Sequence, residues 1–207
     1  MDPLFYTFRI VILLFSVILH EVMHGLVALK FGDHTAEKMG RLTLNPLPHI
    51  DPIGSIIMPF LLILSGSPIL LGMAKPVPVN PLNFSNIRKG ELFVSLAGIG
   101  ANFGLAALAV ILLYFTGFLQ LNSEFLSKNL VFMFFINLSL GIFNLIPIPP
   151  LDGSKVLMSQ LPYPLAKEYA KLEPFGLFII IGLLFFTNIF QTILGFFVSL
   201  FSQFLRF

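Results

Sequence analysis

The sequence predicts an all-α polytopic membrane protein with about four to six transmembrane helices, and three observations carry that class. Hydrophobic residues make up 57% of the 207 positions and charged residues only 11%, where a soluble domain carries about 25% charged residues. Long apolar runs recur, each close to the roughly 20 residues that a helix needs to cross a hydrocarbon core. One further apolar stretch, 52–74, is interrupted by Pro59, Pro68 and several glycines. It predicts a membrane-embedded strand and hairpin region between the first and second full spans.

Taken in order, residues 4–30 form the first helix, whose stretch Leu4–Leu29 is almost all apolar, with Arg9 and the cluster His20, Glu21 and His24 as its charged or ionisable exceptions. Its start does not read as a cleaved signal peptide. Asp2 stands where basic residues belong, no small-residue cleavage site follows, and the apolar run continues. Residues 40–90 are expected to form strands and a re-entrant hairpin. Proline and glycine break helix within 52–74, and Pro76, Pro78 and Pro81 impose extended backbone after it. Irregular backbone at membrane depth survives only against protein or a wet cavity, so this region is predicted to wall a site.

Helices 91–117 and 129–153 follow, the second stopped by Pro147, Pro149 and Pro150 and ending in Pro-Leu-Asp-Gly. The last helix, 174–205, exceeds one span and is expected to tilt or to break near Asn188. No polar stretch is long enough for a separate soluble domain, so residues 1–207 read as one membrane-embedded unit. If 52–74 dips in and returns, the loops 30–51, 75–89 and 152–171 share one face and collect 9 of the 12 basic residues. That bias marks the cytoplasmic side, and a single crossing would weaken it.

The net charge of +2 gives no footprint for nucleic acid. The absence of cysteine leaves only nitrogen and oxygen ligands for any metal. That matters because His20-Glu21-Val22-Met23-His24 lies inside the first span. Each ionisable group at the centre of a bilayer helix costs about 2.5–3.5 kcal/mol on insertion scales, so three together need a reason. Helical spacing puts both imidazoles on one face. HExxH holds zinc in this way, with the glutamate as general base.

A catalytic zinc usually takes three protein ligands. Val27 and Lys30 stand where the extended motif needs glycine and histidine, and Glu37 falls short of the spacing for a downstream glutamate ligand. The third ligand must therefore be distant. The segment 144–153, Asn-Leu-Ile-Pro-Ile-Pro-Pro-Leu-Asp-Gly, is the candidate. Its prolines hold the backbone extended, and Gly153 permits a tight turn that presents Asp152 at one membrane face. At 1.5 Å per residue His20 lies about 14 Å along the helix from Leu29, which puts the site below the cytoplasmic surface.

In these two motifs, about 120 residues apart, the chain resembles the site-2 protease family of intramembrane zinc metalloproteases, in the compact form without PDZ or CBS domains. The resemblance implies Zn2+, one per chain, held by His20, His24 and Asp152, with Glu21 as the catalytic base. Asn144 would help position the substrate backbone. It also implies a transmembrane protein substrate, peptide-bond hydrolysis in the bilayer, and a prokaryotic cell membrane. In Gly98-Ile99-Gly100-Ala101-Asn102, Ile99 stands where relatives often have proline, which argues against a site role for Asn102.

Simpler readings fit other residues. Asp51 before Pro52 reads as a helix N-cap, which is favoured over a site role for His49. His34 reads as a solvated loop residue, and the 25 phenylalanines as packing and lipid contact. A metal-ion or proton-coupled transporter is the alternative from another class. It predicts paired broken helices, and the sequence has one broken segment without a second copy. A catalytically inactive membrane-protein binder is the remaining alternative, although every residue needed for the chemistry is present.

Overall fold

The computed structural model describes residues 3–57, 64, 74–121 and 123–201. Helix α1 spans Pro3–Lys30 and the short α2 spans Thr35–Lys38. Helices α3 (Ile87–Phe118) and α4 (Glu124–Leu145) follow, then α5 (Asp152–Gln160), α6 (Tyr163–Ala170), α7 (Gly176–Phe186) and α8 (Ile189–Phe201). Among the described residues, four segments are long and apolar enough to cross a membrane: Pro3–Lys30, Ile87–Phe118, Glu124–Leu145 and Tyr163–Phe186. The all-α multi-span class is as expected.

Local chemistry starts the two central helices. The Asn86 side chain accepts from the Lys89 N–H to cap α3, and the Ser123 side chain accepts from the Leu126 N–H to cap α4. Helix α3 packs against both α1 and α4. Ala106, Ala109 and Val110 meet Phe134, Leu138 and Ile142 in a buried core, over which α8 lays Leu194, Phe197 and Val198. Helix α7 buries only Gly176 and Ile180 and exposes most of its other apolar side chains, among them Leu177, Phe178, Phe185 and Phe186, as lipid contact requires. The helix expected over 174–205 is broken at Thr187–Asn188, where α7 ends and α8 begins, and the segment able to span starts earlier than expected, at Tyr163.

Two expectations change. No strand forms among the described residues of 40–90. Pro76, Pro78 and Pro81 have no N–H for a ladder, and the neighbouring backbone groups are taken by side chains. Arg41 donates to the Lys75 and Pro76 carbonyls, and Glu21 accepts from the Val77 N–H. Extended backbone is present without a sheet. The second change is that α4 stops at Leu145, so Asp152 opens a new helix instead of closing 129–153.

The tip of the expected hairpin, 58–63 and 65–73, lies outside the described residues. Its ends do not. The Ser85 N–H donates to the Phe31 carbonyl at 2.8 Å, and His24 and His20 of α1 face Val94 and Asn102 of α3 in antiparallel order. The chain therefore leaves α1 and re-enters α3 at one end of the bundle, with no net crossing between them.

Candidate metal centre

Helix α1 places His20 and His24 one turn apart, both buried. The His20 Nδ1–H donates to Asn102 Oδ1 at 2.7 Å, and the His24 Nδ1–H donates to the Val94 carbonyl at 2.7 Å. A neutral imidazole with hydrogen on Nδ1 carries its lone pair on Nε2. Both Nε2 atoms are thereby free to act as ligands. Val94, Gly98 and Asn102 recur every four residues along one face of α3. A Cβ added at Gly98 would lie 2.5 Å from His24 Cε1 and 2.6 Å from His20 Cε1. Only glycine lets α3 come close enough for its neighbours to reach both rings.

Asp152 arrives from the other direction. After Leu145 the backbone turns extended at Ile146, and the prolines at 147, 149 and 150 deny the helix its donors. A Cβ at Gly153 would stand 2.2 Å from the Leu145 carbonyl oxygen, so Gly153 serves a close approach to the end of α4 and not a tight turn. Gly176 is pressed against the Pro149 carbonyl in the same way, and the Tyr169 hydroxyl donates to the Pro147 carbonyl. The C-terminal segment thus clamps the loop that carries Asp152.

Asp152 Oδ2 lies 3.1 Å from each Nε2, and the two Nε2 atoms are 3.0 Å apart. The carboxylate oxygen is buried without a hydrogen-bond partner. Three lone-pair atoms facing one another repel unless a cation or protons lie among them. Their ligand atoms fall within 4.8 Å of one another, as a metal ion requires. Two imidazole nitrogens and one carboxylate oxygen, with no thiolate, make a donor set that suits a divalent metal such as zinc and leaves a position for water.

Glu21 lines the same cavity of about 510 Å3, with Oε2 accepting from the Val77 N–H at 2.8 Å. Asn144 also lines it, although its Nδ2 donates to the Leu140 carbonyl of its own helix. Glu91, Ser95, Ser154, Lys155 and Glu173 add to the polar lining. His49 is buried elsewhere, its Nε2 donating to the Thr43 carbonyl. Asp51 Oδ2 accepts from the Gly54 N–H at the start of the short π-helix Pro52–Ile57, the capping role expected of it. His34 is exposed and pairs with Glu37.

The argument against Asn102 fails. Ile99 is buried within an unbroken helix and leaves Asn102 beside His20. Val94 and Gly98 were also missed. For Asn102 there was a usable signal: an amide inside an apolar helix faces a partner, not lipid. The Val94 carbonyl leaves no trace in the sequence.

Residues 119–187, which include Asn144 and Asp152, match the model of peptidase family M50. The chain is 37% identical over 185 residues to "Putative zinc metalloprotease YwhC" of Bacillus subtilis, covering 87% of this chain and 80% of that one. It is 34% identical over 172 residues to "Putative zinc metalloprotease Rip2" of Mycolicibacterium smegmatis, covering 83% and 64%. A third relative, "Zinc metalloprotease MJ0392" of Methanocaldococcus jannaschii, is 28% identical over 173 residues, covering 83% of this chain and 38% of its own length. No solved structure matches. With a relative this similar along most of both chains, and four helices able to span a bilayer, the chain is a multi-pass membrane protein that belongs to peptidase family M50, the site-2 protease family.

Proposed function

We propose that this chain is an intramembrane zinc metalloprotease that cleaves a peptide bond in or near the transmembrane segment of another membrane protein. The whole of 1–207 would act as one unit, with the site toward the cytoplasmic face of a prokaryotic cell membrane. The observation that carries this reading is the convergence of three buried ligand atoms from α1 and α5 beside a carboxylate in one cavity. The zinc metalloprotease names of the relatives support the choice of metal and reaction. The basic loops 30–51, 75–89 and 152–171 support the cytoplasmic orientation.

His20 Nε2, His24 Nε2 and Asp152 would hold the zinc. A zinc ion bound there supplies Lewis acidity toward a water molecule and the scissile carbonyl. Glu21 takes the proton of the attacking water and returns it to the leaving amine. Its Oε2 is engaged by the Val77 N–H, which orients the carboxylate and leaves Oε1 for the proton. Asn144, on the cavity wall, would engage the substrate backbone. A helical substrate hides its carbonyls in its own hydrogen bonds, so it must unwind before attack.

The test is purified protein in detergent or liposomes, assayed for zinc content and for cleavage of a model transmembrane substrate. Glu21→Gln should keep the metal and lose cleavage by a factor of about 10²–10⁴, the usual contribution of a general base. Equal cleavage by the two proteins would sink the reading. Zinc flux that survives the substitution would favour a transporter.

A further inference from the structure

A chain of amides runs from His20 into the bundle, away from the cavity. Asn102 Oδ1 accepts from the His20 Nδ1–H, and Asn102 Nδ2 donates to Asn137 Oδ1 at 3.0 Å. Asn137 Nδ2 donates both to Ser16 Oγ at 2.8 Å and to the Met133 carbonyl at 2.9 Å. The Ser16 hydroxyl in turn donates to the Ile12 carbonyl at 2.7 Å. Asn102 and Asn137 are fully buried and Ser16 nearly so.

The polarity of this chain is set at its far end. A backbone carbonyl can only accept, so Met133 forces the Asn137 NH2 toward itself and its carbonyl oxygen toward Asn102. Asn102 must answer with its own NH2, because the reversed amide would set two carbonyl oxygens against each other. That leaves Asn102 Oδ1 facing His20, which can only be met by hydrogen on Nδ1. Ser16 reinforces the direction, because its one hydrogen is committed to Ile12. We propose that the Asn102–Asn137 amide pair, polarised by the Met133 carbonyl, locks His20 in the tautomer whose Nε2 can bind metal. Asn102 and Asn137 are then positioning residues, on different helices, and neither touches metal or substrate. The proposal rests on reading His20 as a metal ligand.

The chain has four histidines, so a sample labelled with 15N at histidine alone gives few signals. In zinc-free protein at about pH 9, well above the usual histidine pKa, the wild-type His20 should carry its proton on Nδ1. Asn102→Leu should shift it toward the Nε2–H form and weaken zinc binding about 10–100-fold, measured against a chelator. Asn137→Leu, which does not touch His20, should move both readouts the same way by less. Asn102→Asp keeps the acceptor toward His20 but loses the donor to Asn137, so it should restore the Nδ1–H form and part of the zinc affinity that the Leu variant loses. Unchanged tautomer or unchanged affinity in both Leu variants overturns the proposal. Wild-type protein that holds zinc with this tautomer but cleaves no peptide would sink the protease reading alone.

Discussion

His20, His24 and Asp152 are held from helices, by bonds that end on an amide, a carbonyl and a clamped loop. The strap formed by 75–83 lines part of the same cavity, but its prolines leave it unable to pair with a neighbouring strand. It is fixed by three side chains reaching its backbone instead. Arg41 takes the carbonyls of Lys75 and Pro76, Glu21 takes the Val77 N–H, and Asp33 takes the Asn80 N–H at 2.7 Å and also the Asn83 side-chain Nδ2 at 2.8 Å. The metal centre thus depends on how closely helices approach, and the strap on a few ionic posts. The two should fail separately. Glu21 alone belongs to both, since it lies beside His20 and bonds the strap.

Gly98 gives the largest expected effect on the helical side. In Gly98→Ala the new Cβ would meet backed-up imidazoles at 2.5–2.6 Å, an overpacking of about 1–3 kcal/mol that falls on the ligands themselves. Zinc content should drop well below that of the wild type, and cleavage with it. Gly100→Ala, two residues along the same helix, meets nothing within 4 Å and should leave zinc content unchanged. Metal analysis of the two purified variants decides the matter. If both retain zinc equally, close helix approach is not what builds the centre.

How much of this was legible depended on whether the signal was a side chain or a contact. The imidazoles, Glu21 and Asp152 were visible because ionisable groups in apolar sequence are costly. The four spans were visible because hydropathy and length are additive along a chain. The strands expected over 40–90 failed because extended backbone and a paired sheet leave the same trace of proline and β-branched residues. Whether a ladder forms depends on partners that the local sequence does not name. Gly98 was invisible as a site residue for a related reason: its role is the absence of an atom where α3 meets α1. Gly153 was noticed, but for a turn, whereas what its missing Cβ admits is the end of α4.

Arg41 tests the strap with a smaller effect. It is buried, and its Nη2 donates to the Lys75 and Pro76 carbonyls at 2.8 and 3.3 Å. Hydrogen bonds from a charged group contribute about 1.5–3 kcal/mol. Arg41→Met should therefore loosen the strap, raise its sensitivity to protease, and lower cleavage of a transmembrane substrate while zinc content stays at the wild-type level. Loss of zinc in this variant would show that the strap and the metal centre are one cooperative unit, and the comparison would break.

Asp33 gives the smallest and most conditional effect, because it depends on pH. Burial pushes its carboxyl up, but hydrogen bonds from Thr35, Asn80 and Asn83 outweigh burial and leave it below the usual aspartate value. A group depressed in the folded state adds stability above its unfolded pKa of about 3.9 and loses it as pH falls through the folded value. The strap should therefore resist pepsin near pH 5 and open progressively below about pH 4. Asp33→Asn gives up the charged acceptor, so its strap should already be more open at pH 5, and the two proteins should converge as the wild-type carboxylate takes its proton. Any metal lost to acid is lost from both proteins alike, and so cancels in the difference between them. A difference that stays constant from pH 5 to pH 3 would mean that Asp33 holds the strap by shape and not by charge.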